Sequence, residues 1–211
     1  MVRSNAHNTC RLTRLVLVLT LALGALGLAG CGGSHIEVDY ARAGNPRKED
    51  YFIGVADVLK VSVWKMPDVN TDVRVRPDGS ITVPLIGEVQ AAGRTPAQLR
   101  ADIQARLSKF VKDEGTIVTV AVVEVNSYSV TVSGKVQRPG LFTLKQYVTV
   151  SEAIALAGGP TIYANPEETV IVRTWRSKPP KRIPVNYNKI QQGFAPEQDL
   201  VLYTGDTVYV P

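Results

Sequence analysis

The side chains most often recruited for catalysis or metal binding are scarce in this sequence of 211 residues. Its only histidines are His7 and His35, and its only cysteines are Cys10 and Cys31. A Ser-His-Asp triad, a Cys-His pair and a His- or Cys-ligated metal site are therefore excluded from the later chain. Carboxylates remain: Asp57, Asp68, Asp72, Asp78, Asp199, Asp206, Glu88, Glu167 and Glu168. Two of them flanking a deep cleft could cleave a glycosidic bond. Most stand beside glycine or proline, where Asp suits turn geometry, so they read as solvated turn residues. P-loop, G-x-G-x-x-G and G-x-S-x-G motifs are missing. Gly158-Gly159 follows a helical pattern and reads as a helix stop. Trp64, Trp175 and the tyrosines could stack on sugar rings, but an aromatic such as Trp64, ending an apolar strand, more often packs in a core or interface. No catalytic residue, metal ligand or cofactor is expected.

Cys31 has a different chemistry. Residues 1–14 carry Arg3, Arg11 and Arg14 and no acid, and residues 15–28 are apolar apart from Thr20 and two glycines. That is a signal-peptide pattern, and about 21 Å of helix is too short for about 30 Å of hydrocarbon. The tetrapeptide Leu28-Ala29-Gly30-Cys31 then resembles the bacterial lipobox, which implies cleavage before Cys31, its lipidation, and life outside the cytoplasm. Loss of residues 1–30 removes three arginines and no acid, leaving 21 basic against 19 acidic residues and a charge of +2. This gives no nucleic-acid footprint. With Cys10 gone, no disulfide can form within the mature chain.

Next come the elements that position these residues. Residues 31–50 are small, polar or charged and read as a flexible lipid tether. Asp57–Trp64 reads as a strand, and residues 73–85 as a hairpin turning at Pro77-Asp78-Gly79-Ser80 and continued by 86–89. Thr95, Pro96 and Gln98 form a capping box that opens a helix. Its stripe is Leu99, Ile103, Leu107, Phe110 and Val111, and it ends near Lys112. Thr116–Val125 reads as a long buried strand. A second unit follows, with strands at Tyr128–Ser133, Leu141–Leu144, Thr169–Trp175 and Arg182–Val185. Gly134–Gly140 is a connection and Ser177–Pro180 a turn. Thr149–Glu152 is a second capping box, opening a short helix with Ala153, Ile154 and Leu156 inside. Asn188–Gly193 is a helical turn, and Leu200–Tyr203 with Thr207–Val210 forms a closing strand pair. The whole reads as an α+β protein.

Residues 51–211 resemble the Wza-like polysaccharide export proteins of the outer membrane. Tyr51–Leu59 is similar to the family's opening Y-x-I-G-x-G-D-x-L, with Ala56 in place of a glycine. Val75-Arg76-Pro77-Asp78-Gly79, Pro84–Val89 and Thr95–Leu99 match further segments. Ser133–Val136, Arg138-Pro139-Gly140, Ala153–Gly159 and Gly205–Pro211 resemble the β-grasp module, the SLBB domain, that follows in this family. The resemblance implies a signal peptide over 1–30, a tether over 31–50, a polysaccharide export domain over 51–126 with a mixed sheet and one main helix, and an SLBB domain over 127–211. It also implies a non-enzymatic lipoprotein, anchored at the outer membrane and facing the periplasm. Such a protein forms a homo-oligomeric ring for capsular or exopolysaccharide and works with an inner-membrane co-polymerase, often a tyrosine kinase. Longer members add a C-terminal pore helix. This sequence shows no such transmembrane segment, so a separate outer-membrane β-barrel partner is expected. The alternatives are a carbohydrate-binding or sensing lipoprotein without transport and, less in keeping with the missing side chains, a polysaccharide-modifying enzyme.

Overall fold

The computed structural model describes residues 39–110, 117–174 and 179–211. Its first half is built around strand β1 (Val58–Val63), whose alternation turns Leu59, Val61 and Val63 inward. β2 (Thr71–Arg74) pairs antiparallel with one edge of β1. β3 (Ser80–Val83) and β4 (Gly87–Gln90) pair with each other as a separate two-stranded sheet. Helix α1 (Pro96–Leu107) follows, with Thr95 and Gln98 exchanging both bonds of the capping box. β5 (Val118–Glu124) returns antiparallel along the other edge of β1, setting Val122, Val120 and Val118 opposite Leu59, Val61 and Val63. Leu99, Ile103 and Leu107 of α1 close this core with Ile81, Val83 and Val89.

Several expectations change here. The turn at Arg76–Gly79 exists, with the Gly79 N–H donating to the Arg76 carbonyl (2.8 Å) and Gly79 at φ +82°. It joins two sheets, however, instead of the two arms of one hairpin over 73–85. Val75 is already committed to the β1 side: Ala56 N–H donates to its carbonyl, and its own N–H donates to Asp57 O (2.9 Å each). The α1 stripe stops at Leu107; the turn after it rotates Phe110 out to 64% exposure. Val111 and Lys112 lie outside the described residues. β5 is buried on one face only, and Thr119, Ala121 and Val123 face solvent. Trp64 is not core: it is 65% exposed.

The second half is one five-stranded sheet in the order β7-β6-β10-β8-β9. β6 (Ser129–Gly134) turns back into β7 (Gly140–Thr143). Helix α2 (Val150–Leu156) starts at a complete capping box of Thr149 and Glu152 and stops at Gly158 and Gly159, both with φ above +80°. It buries Val150, Ala153 and Ile154. Leu156, expected inside, is 39% exposed. β8 (Thr169–Arg173) and β9 (Lys181–Val185) form an antiparallel pair, and the short helix α3 (Tyr187–Gln191) follows. Trp175 and Ser177 lie outside the described residues. β10 (Thr207–Val210) enters the middle of the sheet, parallel to β6 and antiparallel to β8. The expected pairing of 200–203 with 207–210 is absent because β10 takes both its neighbours from elsewhere. Residues 200–203 are buried, with one isolated bridge between Val201 and Thr149. A parallel first and last strand, flanked by hairpins and crossed by a helix, is the β-grasp arrangement. The fold is thus α+β throughout, and no described helix is long and apolar enough to cross a membrane.

The stretch expected to be a flexible tether becomes ordered from residue 39. Two 3-10 turns, Tyr40–Ala43 and Pro46–Lys48, are capped by Asp39 and Asn45. They lie on the second half: the Tyr40 hydroxyl donates to Pro184 O (2.9 Å), Arg173 Nη1 donates to Ala43 O, and Arg47 Nη2 donates to Tyr147 O (2.8 Å). Composition alone reads such a segment as loose. Its order comes from partners 100 or more positions away.

Candidate functional site

The junction of the two halves is organised by Asp57, the residue that precedes β1. It is fully buried. One carboxylate oxygen accepts from the backbone N–H groups of Asn126 (2.9 Å) and Ser127 (2.8 Å). The other accepts from Gly54 N–H (2.8 Å), Ser127 Oγ (3.0 Å) and the Tyr51 hydroxyl. Five donors satisfy an anion that burial would otherwise penalise heavily. Gly54 is needed here for space: a Cβ on it would stand 2.2 Å from Ser127 Cβ. Asp57 is thus a buried structural anion and not the solvated turn residue expected from its sequence. Burial and the Asp57 hydrogen bond hold the Tyr51 hydroxyl protonated far above its ordinary range.

Asp206, which precedes β10, is buried likewise and is also no solvated turn residue. Arg173 Nη2 (2.7 Å) and Nε (3.0 Å) donate to it, as does Tyr203 N–H (2.9 Å). Burial raises its pKa, and the Arg173 guanidinium pulls it back down. Arg173 also lies over the Tyr203 ring, 4.4 Å from its centroid, and so joins β8, the segment before β10 and the 3-10 turn ending at Ala43.

Beside Asp57 the surface opens into a cleft. Pro46, Glu49, Asp50, Tyr51 and Phe52 form one side, where the chain runs from the second 3-10 turn into the first half. Ser127, Tyr128, Tyr147, Tyr203 and Thr204 form the other. Tyr128 and Tyr147 meet edge to face, centroids 4.9 Å apart at 76°. The Tyr128 hydroxyl donates to Leu202 O (3.2 Å), and the Tyr203 hydroxyl donates to Glu49. Burial pushes both phenols up to about 12, with the Glu49 hydrogen bond adding to the effect at Tyr203. The lining therefore offers aromatic faces, phenolic donors and carboxylate acceptors. Such a surface can bind a hydroxyl-rich ligand.

The remaining carboxylates are scattered. Asp78 accepts from Ser80 N–H (2.9 Å) and Ser80 Oγ (2.6 Å) in the turn before β3. Asp199 accepts from Ser151 N–H (2.9 Å) and Ser151 Oγ (2.8 Å), tying the segment after α3 to α2. Glu88 meets Arg76 at the surface, and Glu167 accepts from Asn188 Nδ2 (3.4 Å). Among the described residues no three His, Cys, Asp or Glu gather as metal ligands. Trp64 stands apart from the junction cleft, beside Lys65, Pro67 and Ile117 in a second depression of about 300 Å³. Cys31 and the secretion signal lie outside the described residues.

Comparison with known proteins agrees with this division. Residues 45–123 match the family described as polysaccharide biosynthesis/export protein, and residues 129–184 match the SLBB domain. The exopolysaccharide production protein ExoF of Rhizobium meliloti is 30% identical over 160 residues, covering 70% of this chain and 33% of that protein. The EPS I polysaccharide export outer membrane protein EpsA of Ralstonia solanacearum is 27% identical, covering 63% of this chain and 40% of the relative. The capsule polysaccharide export protein BexD of Haemophilus influenzae is 29% identical, with 74% and 42% covered. The chain spans between 33% and 42% of the length of these relatives.

Proposed function

This chain belongs to the Wza-like polysaccharide export family that carries an SLBB domain, and on that premise we propose that it carries capsular or exopolysaccharide out through the cell envelope as a lipid-anchored ring. The observation that carries the reading is the order of modules, an export domain over 45–123 followed by an SLBB domain over 129–184. Relatives of this chain are named for exopolysaccharide production or capsule export. The protein acts by binding and assembly, without turnover of the glycan. In support, no histidine or cysteine follows residue 35, and the buried carboxylates are consumed in structural hydrogen bonds. Diacylglyceryl and acyl groups on Cys31 hold it at the outer membrane, facing the periplasm. Its partners are further copies of itself, an inner-membrane co-polymerase and an outer-membrane pore protein.

The test is deletion of the gene, with surface polysaccharide measured against the cytoplasmic-side pool. Surface polymer is expected to fall, and unchanged surface polymer refutes the export role. Metabolic labelling with an alkyne fatty acid is expected to mark the wild type and not Cys31→Ser; equal labelling removes the anchor from the proposal. Native mass spectrometry of the full chain in detergent tests the ring, which a purely monomeric spectrum would exclude.

A further inference from the structure

We propose that the depression beside Trp64 is a binding subsite for one pyranose unit of a polysaccharide, stacked by its C–H face on the indole ring. The proposal deepens the export reading, which supplies only the premise that a polysaccharide reaches this protein.

The depression holds about 300 Å³, at the low end of the range for small-ligand pockets, which admits a single sugar ring. Trp64 follows directly on β1 and is 65% exposed, and Ile117 beside it is 61% exposed. The Trp64 N–H donates to Ile117 O (2.9 Å), which continues the β1–β5 pairing and anchors the backbone under the indole. Among the described residues no aromatic ring or cation covers that indole. The next residue, Lys65, has φ +62°, a left-handed conformation that disfavours any residue with a Cβ. Strain of this kind is held where a particular local geometry is needed, and here it sits directly behind the open indole.

Partners for hydroxyl groups share the same lining. Ser62 and Thr119 face each other across β1 and β5, and neither side chain makes a hydrogen bond among the described residues. Asn70 is fixed because its Oδ1 accepts from the Val63 N–H (2.7 Å), and its Nδ2 donors stay unspent among the described residues. Lys65 makes no hydrogen bond or ion pair there either. A pyranose presents C–H groups on its faces and hydroxyls around its rim, so it needs an aromatic plane bordered by donors and acceptors. An open indole, two hydroxyls, an amide donor held in place and an ammonium make up that set. No charge on the sugar is required: Lys65 in the lining and Asp68, exposed three residues on, carry opposite signs.

The full-length protein in detergent is titrated calorimetrically with a β-linked glucose hexamer, an uncharged probe with equatorial ring hydroxyls. Binding is expected. Trp64→Ala should weaken it roughly tenfold or more, and Trp64→Tyr, which keeps an aromatic plane, only a few-fold. Trp64 is exposed, so neither change should lower the melting temperature. In Trp175→Phe, Trp64 is the one remaining tryptophan, and its emission should shift to the blue as the hexamer is added. Failure of the hexamer to bind overturns the proposal. So does a Trp64→Ala protein that folds and binds as tightly as the wild type. Emission that shifts with protein concentration alone, without the sugar, puts a second copy of the chain on this face and overturns it too. Secretion separates the two levels. If the hexamer fails to bind and gene deletion still lowers surface polymer, the subsite falls and export stands. If the hexamer binds as stated and deletion leaves surface polymer unchanged, export falls and the subsite stands.

Discussion

Ser127 gives both its backbone N–H (2.8 Å) and its hydroxyl (3.0 Å) to the carboxylate of Asp57, 70 positions earlier in the chain. This double bond of donors fastens the start of β1 to the start of the second half. Asp57→Ala strips a buried site of its anion and leaves five donors without their acceptor. Urea unfolding should show a loss of roughly 3–5 kcal/mol, given the cost of unpaired buried groups beside charge-assisted bonds. Asp57→Asn keeps the shape and should lose less. Equal stability of wild type and Asp57→Ala would show that the junction does not depend on this carboxylate.

Ala56, next to it, has φ +73°. An L-residue other than glycine is strained there by about 1–2 kcal/mol. Ala56→Gly should therefore raise stability, by about 1 kcal/mol once the added freedom of the unfolded chain is counted. A thermal melt of the two proteins side by side decides the sign.

The Arg173–Asp206 pair predicts an asymmetry between single and double replacements. Both side chains are buried, at 6% and 0% exposure. Arg173→Met leaves an uncompensated buried carboxylate and should cost about 3–5 kcal/mol, as should Asp206→Leu for the guanidinium. The double variant should be less damaged than the sum of the two. A strictly additive cycle would mean that the pair contributes only through independent contacts with its neighbours.

Tyr128 and Tyr203 set an alkaline limit. Both phenols titrate near 12 in the fold, against an ordinary value of 10.0. A group raised in the folded state contributes stability that is present below its unfolded pKa and lost as pH climbs through the folded one. Stability should therefore decline between about pH 10 and 12. Tyr128→Phe and Tyr203→Phe together should flatten that decline, read by denaturant midpoints across the range.

Helix α1 offers a test of where its apolar stripe ends. Leu107 is fully buried, while Phe110 is 64% exposed. Leu107→Ala should cost roughly 2–5 kcal/mol and Phe110→Ala close to nothing. Thr95→Ala, which removes the cap, falls between them at about 0.5–2 kcal/mol.

Features set within a few neighbouring residues were legible beforehand. Thr95 with Gln98 and Thr149 with Glu152 were readable as helix starts, since each box closes within four residues. The stop at Gly158 and the period-two strands were readable for the same reason. Strand partners were not. Nothing in residues 73–83 says that β2 will choose β1 while β3 chooses β4. The candidate site was even less visible, because its walls come from Glu49–Phe52, Ser127–Tyr128, Tyr147 and Tyr203. One signal was present and passed over. Asp57 and Asp206 each stand directly before an apolar strand, where a carboxylate can gather the N–H groups of the incoming turn and be drawn inside.

β10 is the central strand of its sheet and the last of the described strands, lying between β6 and β8. Until Thr207–Val210 arrives, both of those strands show an open row of backbone donors and acceptors. Such rows are the templates on which chains stick to one another. This half can therefore close only once residue 210 has been made, and its key pairing spans the distance from residue 131 to residue 207. Contacts of that sequence separation form slowly. Until then, β6 and β8 depend on being kept apart from the strands of other chains.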